Sequence, residues 1–279
     1  MTKDIWGQVL KVLFFDIDGT LLDSNGVIAE SSKEAIKQAK ANGHKMFLCT
    51  GRTRSQVWPE LLQMGFDGIV SVAGAEAIVG DEIIYQSIME PKKVEKFLDL
   101  MEPLHISYGL QTSEGTLTTQ EGWDKTMDRF VKLGAPKEVA ERNMSFFEPV
   151  PTLRGRNDVY KMFYNFAPMD VDEVQRRLGD YFLVEQSSFS GPDPFSGEIT
   201  KRGIGKANGM DAVMKHFNLT REDAIAFGDG PNDMDMIEYA SIGVVMGNGR
   251  DSLKAIADYI TDDIFHDGIY NAMKHFELI

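Results

Sequence analysis

Val12-Leu-Phe-Phe15 is apolar at every position and stops abruptly at two carboxylates one residue apart, Asp16-Ile-Asp18, followed by Gly19-Thr20. A short run with no polar alternation reads as a strand buried on both faces. Asp16 then stands at the carboxyl end of that strand, the edge where open α/β sheets bind ligands. Taken alone, Asp-x-Asp after a strand is better read as an Asx-turn or a helix cap. The rest of the chain decides whether it is more.

The pattern repeats. Ser31 to Ala41 has helical spacing of Ala35, Ile36 and Ala39 and ends at Asn42-Gly43, a helix with a glycine stop. His44 to Thr50 is a second buried strand, running into Thr50-Gly51-Arg52. Ser55 to Met64 reads as a helix, with Pro59 kinking it or near its start. Asp67 to Ala73 is a third strand, ending at Gly74. Strand-helix-strand-helix-strand is the signature of a parallel sheet with right-handed crossovers. The rhythm then breaks into a hairpin about Gly80-Asp81, helices from Pro91, over Trp123 to Leu133 and over Pro136 to Asn143, and strands over 107–119, 159–166 and 181–185. It resumes with a helix ending near Phe217, a strand Ala224 to Gly228 that stops at Asp229-Gly-Pro-Asn-Asp233, and a strand Ile242 to Met246 before Gly247-Asn-Gly249. The expected fold is α/β: a Rossmann-like parallel core, residues 1–87 and 190–279, interrupted by an inserted α+β domain, residues 88–189, with Gly191-Pro-Asp-Pro194 near the return crossing.

Parallel strands put their tips on one edge, so Asp16, Asp18, Thr50, Asp229 and Asp233 are expected together. Crowded carboxylates repel and raise one another's pKa. A hard divalent cation resolves that, and oxygen-only ligands without clustered His or Cys point to Mg²⁺ rather than zinc. The formal net charge of −14 argues against broad nucleic-acid binding. It also means an anionic substrate needs local cations or a metal. The single cysteine excludes an internal disulfide. The N-terminus lacks signal-peptide character, and no apolar run is long enough to span a membrane, so the cytoplasm is the expected compartment.

Asp16-Ile-Asp-Gly-Thr20, Thr50-Gly-Arg52, Lys206 and Gly228-Asp-Gly-Pro-Asn-Asp233 occur in the order and spacing of the haloacid dehalogenase superfamily. The insertion, with Gly197-Glu-Ile-Thr200 before the lysine, resembles the Cof-type branch with a C2B cap. The resemblance covers essentially the whole chain. It implies Asp16 as the nucleophile that forms an aspartyl-phosphate and Asp18 as the general acid/base. It implies that Thr50, the Gly51 amide, Lys206 and Asn232 hold the phosphoryl group, with Lys206 also neutralising Asp16. It further implies Mg²⁺ on Asp16, Asp229, the backbone carbonyl of Asp18 and, directly or through water, Asp233. An Asp at the second position implies phosphatase or mutase chemistry, since the family's dehalogenases lack it.

The leading expectation is a Mg²⁺-dependent phosphatase of a small phosphorylated metabolite, a sugar phosphate or a phosphorylated cofactor, with no obligate protein partner evident. The alternatives are a phosphomutase of the phosphomannomutase type and a non-catalytic phosphometabolite-binding protein. Cys49 beside Thr50-Gly-Arg lacks the arginine six residues on that a cysteine phosphatase loop needs, and reads as a packed strand residue. The five histidines show no ligand spacing, and Trp123 and Arg129 read as a structural aromatic and a solvated cation.

Overall fold

A computed structural model describes residues 10–132, 137–187 and 193–279. The chain divides into two compact units: one holds the chain up to Arg52, Val57–Gln86 and Gly205–Ile279, the other Thr53–Gln56 and Ser87–Ile204.

In the first unit, β1 (Val12–Phe15), α1 (Glu30–Ala41), β2 (Lys45–Cys49), α2 (Pro59–Leu62), β3 (Gly68–Ser71), β4 (Glu76–Val79) and β5 (Glu82–Gln86) precede the insertion. The inserted unit contains α3 (Pro91–Met101), β6 (Ser107–Thr112), β7 (Thr116–Thr118), α4 (Gln120–Lys132), α5 (Lys137–Met144), β8 (Phe147–Pro149), β9 (Val159–Asn165), α6 (Val171–Leu178), β10 (Phe182–Gln186) and β11 (Gly197–Lys201). The first unit then resumes with α7 (Lys206–His216), β12 (Ala224–Gly228), α8 (Met234–Tyr239), β13 (Ile242–Val245), α9 (Asp251–Lys254), β14 (Tyr259–Ile260) and α10 (Gly268–His275).

The first sheet runs β14-β13-β12-β1-β2-β3-β4-β5. It is parallel from β14 to β3, and the hairpin β4–β5 adds an antiparallel edge. The lack of alternation in β1 has a direct cause. Leu13 and Phe15 pack in one apolar cluster with Ile36 of α1 and Ile269 of α10, while Val12 and Phe14 pack in another with Met210 of α7 and Ile237 of α8. Helices therefore cover both faces, and burial of each large apolar side chain contributes about 1.5–3 kcal/mol. No helix among the described residues is long and apolar enough to cross a membrane.

The helix expected over Ser55 to Met64 is shorter. Residues Arg54–Gln56 form one 3₁₀ turn, and α2 starts at Pro59, whose missing N–H costs nothing at the first helical position. The third strand stops at Ser71 because Val72 and Ala73 take left-handed backbone, φ 50° and 54°. For a β-branched residue that is a genuine outlier. The described residues also contain a strand absent from the sequence reading, β11, which pairs antiparallel with β10 and β9 and carries the inserted unit to Ile204. Gly191, Pro192, Leu133 and Pro136, and the boundary expected at 189–190, lie outside the described residues.

The second sheet runs β10-β11-β9-β6-β7-β8 and is antiparallel except between β7 and β8. One face, including Leu110, Met162, Tyr164 and Ile199, packs on Phe97 and Leu98 of α3 and Val174 of α6. Asp170 starts α6 by accepting the Glu173 N–H at 2.8 Å, a cap that contributes about 1 kcal/mol.

Candidate active site

The tip of β1 is pinned sideways: the Asp16 N–H donates to the Phe227 carbonyl of β12 at 2.9 Å. This brings the two acidic strand ends together. Asp16, Asp229 and Asp233 each offer one oxygen, all within 4.8 Å of one another. Lys206, at the first position of α7, lies fully buried and donates to Asp16 Oδ1 and to Asp233 Oδ1, each at 2.5 Å. The α7 N-terminus is itself fixed, since Asp235 accepts the Ala207 N–H at 2.9 Å.

Asp233 does two jobs. Its Oδ1 accepts from Lys206, while Oδ2 accepts the N–H groups of Asp229 and Gly230, both at 2.9 Å. It thereby shapes the turn that carries Asp229. Thr20 orients Asp229 by donating Oγ1–H to Oδ1 at 2.9 Å. Gly19 lies between them at φ 90°, and a Cβ there would fall 2.3 Å from Asp229 Oδ2. Gly19→Ala is therefore expected to cost about 1–3 kcal/mol of stability from backbone strain alone and to displace the Asp229 carboxylate. Urea denaturation reads the first effect; the Mg²⁺ concentration needed for half-maximal thermal stabilisation, rising in the variant, reads the second.

One ammonium among three carboxylates leaves excess negative charge. Burial, then the Asp233 carboxylate, raises the Asp16 pKa to about 8 against the opposing pull of Lys206. Burial, then Asp233, raises Asp229 to about 6, with the Thr20 hydrogen bond opposing. Burial pushes the Lys206 ammonium down, but Asp16 and Asp233 outweigh it, and Lys206 stays charged. An all-oxygen donor set with surplus negative charge fits a hard divalent cation.

Asp18 is not part of this cluster through its side chain. Arg52 grips both its oxygens, Nε to Oδ2 at 2.9 Å and an Nη to Oδ1 at 2.6 Å. Only its backbone carbonyl remains for the metal role the resemblance implies. Thr50 is buried at the tip of β2, its Oγ1 accepting the Arg52 N–H at 3.2 Å. The left-handed turn after β3 braces this loop: Val72 N–H donates to the Arg52 carbonyl and Ala73 N–H to the Thr50 carbonyl, at 2.8 and 3.0 Å. Gly51 is half-buried beside Thr50. Asn232 is exposed on the turn before Asp233 and makes no hydrogen bond to Asp16 or Asp229.

The sequence reading assigned no role to Thr20, Arg52 or Asp235. The first two were legible only as letters of their motifs. Cys49 is buried in β2, and burial pushes its thiol well up, so it is inert packing.

A profile of haloacid dehalogenase-like hydrolases matches residues 13–273. The chain belongs to this family. Among its relatives, phosphatase YwpJ of Bacillus subtilis (strain 168) is 25% identical, with 95% of this chain and 99% of that protein aligned. The 5-amino-6-(5-phospho-D-ribitylamino)uracil phosphatase YcsE of the same organism is 24% identical over 96% of each chain. The structure of the HAD subclass IIB sugar phosphatase BT4131 superposes with a TM-score of 0.75 at 29% identity, over 96% of this chain and 100% of that one. The haloacid dehalogenase-like chain thus matches its family over residues 13–273, with its acidic cluster at the strand tips.

Proposed function

We propose that this hydrolase is a Mg²⁺-dependent phosphatase that removes the phosphoryl group from a small metabolite. The observation that carries the reading is the close set of buried Asp16 and Asp233 and half-buried Asp229, with the Lys206 ammonium paired to Asp16 and Asp233. Phosphoryl transfer depends chiefly on positioning and electrostatics of this kind.

Asp16 attacks phosphorus, the bond from phosphorus to the leaving oxygen breaks, and an aspartyl-phosphate forms. Asp18 gives a proton to the leaving oxygen, then takes one from the water that hydrolyses the intermediate. The Arg52 fork occupies both Asp18 oxygens, so the carboxyl swings out of that fork to meet the leaving group. Thr50 and the Gly51 amide donate to phosphoryl oxygens, and Lys206 offsets charge on Asp16 and on the transferred group. Asn232 contacts the substrate phosphate from the exposed side. Asp16, Asp229, Asp233 and the Asp18 carbonyl would hold Mg²⁺, which supplies further neutralisation of the phosphoryl oxygens. The inserted unit serves as a C2B cap that selects the leaving group, and the substrate is a sugar phosphate or a phosphorylated cofactor, in keeping with the names of the relatives.

The test is inorganic phosphate release from a panel of phosphomonoesters. Turnover is expected with Mg²⁺ and not with EDTA, and it should run steadily without a bisphosphate activator. A need for such an activator would make the protein a mutase instead. Phosphometabolite binding with no release from any ester would refute catalysis.

A further inference from the structure

The first turn of α7 is capped from another helix. The first four N–H groups of a helix have no partner inside it, and a Ser, Thr, Asp or Asn just ahead of the helix normally takes one of them. Gly205 fills that place and has no side chain to do so. Asp235, the second residue of α8, does it instead: its Oδ2 accepts the Ala207 N–H at 2.9 Å. Gly205 is what lets it in. The backbone there is extended, φ −151°, so conformation does not demand glycine. Space does. A Cβ would fall 2.2 Å from Asp235 Oδ2, and the three heavy atoms nearest to it all belong to Asp235.

The same peptide is met by Gly74. A Cβ on Gly74 would fall 1.8 Å from the Gly205 carbonyl oxygen and 2.7 Å from the Lys206 nitrogen. Gly74 ends the left-handed turn whose Val72 and Ala73 N–H groups hold the Arg52 and Thr50 carbonyls. One turn therefore touches both the Thr50 loop and the start of α7, and Asp235 fixes that start from α8. What the gripped peptide carries is Lys206. Its ammonium is bound to Asp16 and Asp233, but on the reading above both of those take part in the reaction or hold the metal. The charge on Asp16 changes as it attacks phosphorus, so Lys206 needs an anchor outside the chemistry. Asp235 is one. The carboxylates that converge on the candidate metal position are Asp16, Asp229 and Asp233, without Asp235. Asp235 engages the backbone one residue after Lys206.

We infer that Asp235 is a positioning residue for catalysis: by holding the Ala207 N–H it sets where the Lys206 ammonium meets the transferred phosphoryl group. The inference rests on the reading of Lys206 as a phosphoryl-binding group. A misplacement of about 1 Å at a reacting centre costs about 100-fold in rate, and a helix start released from its cap shifts on that scale. The loss falls on kcat rather than KM, because an ammonium aimed at developing charge binds the transition state more tightly than the ground state.

The test is phosphate release from p-nitrophenyl phosphate with Mg²⁺. Asp235→Ala is expected to lower kcat by about 10- to 100-fold and to leave KM within about threefold. Asp235→Asn keeps an oxygen acceptor and is expected to stay within about threefold of the parent kcat, a small hydrogen-bond difference. Gly205→Ala reaches the same contact from the other partner, since its methyl must push Oδ2 away. It is expected to lower kcat in the same way, and it keeps the test valid if Asp235→Ala fails to fold. Gly205→Ser combined with Asp235→Ala gives the serine room and supplies a cap in place, so its kcat should exceed that of Asp235→Ala by about fivefold or more. Parental kcat in a folded Asp235→Ala or Gly205→Ala would make Asp235 a cap for the fold alone and overturn the inference. So would an Asp235→Asn as slow as Asp235→Ala, or a double variant no faster than it. Inorganic phosphate binding with Mg²⁺, read by ³¹P NMR, follows Lys206 without turnover. It should weaken by about tenfold in Asp235→Ala, on the scale of one charge-assisted contact, and recover in Asp235→Asn. That binding pattern in a protein that releases phosphate from no ester sinks the phosphatase reading and leaves this one standing. Turnover by the parent, with kcat and phosphate binding both unmoved in a folded Asp235→Ala, does the reverse.

Discussion

Asp16→Asn is expected to lower phosphate release by roughly 10⁴-fold or more, the usual scale for losing a nucleophile. The side chain keeps its shape and loses only its ability to attack phosphorus. The rest of the site holds without it. The Asp16 N–H still bonds the Phe227 carbonyl, and Lys206 still bonds Asp233. Removing one carboxylate from a crowded set also relieves the repulsion that lifts the Asp16 pKa to about 8. In EDTA at alkaline pH, the melting temperature of Asp16→Asn should therefore equal or exceed that of the parent chain. The pair of readouts separates chemistry from scaffold. Lost activity with retained stability identifies a nucleophile, whereas parallel loss of both would make Asp16 a structural residue, and full activity would remove it from the mechanism.

That Asp16 was legible at all follows from sheet geometry. A parallel strand buried on both faces shows an unbroken apolar run, and its polar ending marks the tip. Four such endings read in order place Asp16, Thr50 and Asp229 on one edge before any coordinates exist. Lys206 carried no such mark, being one lysine at a helix start, and only the family spacing singled it out. The Arg52–Asp18 fork was hidden for a different reason. Adjacent strand tips can present their side chains toward or away from each other, and motif letters do not record the rotamer. The same limit applied to β11. Gly197-Glu-Ile-Thr-Lys201 is short, begins with glycine and carries charge, and what makes it a strand is pairing on both sides with β10 and β9. For Pro59 the letters left open a kink or a place near the helix start; the second holds, at the first position of α2, so the start expected at Ser55 lies too early, since a proline fits the first turn and nothing before it marks a stop.

Lys206→Met should show what the buried ammonium does for the fold. Breaking a buried ion pair from one side leaves uncompensated charge and typically costs about 3–5 kcal/mol, and here one deletion strands two carboxylates, Asp16 and Asp233. The cost should depend on pH with a definite sign. In the parent chain, Asp16 holds its proton up to about pH 8 when folded, against an ordinary value of 3.8, and Asp229 up to about pH 6. Between those limits the folded chain binds more protons than the unfolded one, so stability in EDTA falls as pH rises through the window. Lys206 stays charged throughout and moderates that fall. Without it, both carboxyl pKa values rise further, and the variant loses least near about pH 5, where the native carboxyls hold their protons, and most near about pH 8. Mg²⁺ should act in the opposite sense, because a cation binds the deprotonated set: stabilisation of the parent chain over EDTA should grow from about pH 5 to about pH 8. Urea denaturation midpoints of both proteins at the two pH values, with Mg²⁺ and with EDTA, measure all of this. A Lys206→Met cost that is the same at both pH values would mean that the ammonium fills space rather than balancing charge, and an Mg²⁺ effect that shrinks with rising pH would mean that the cation binds elsewhere than on Asp16 and Asp229.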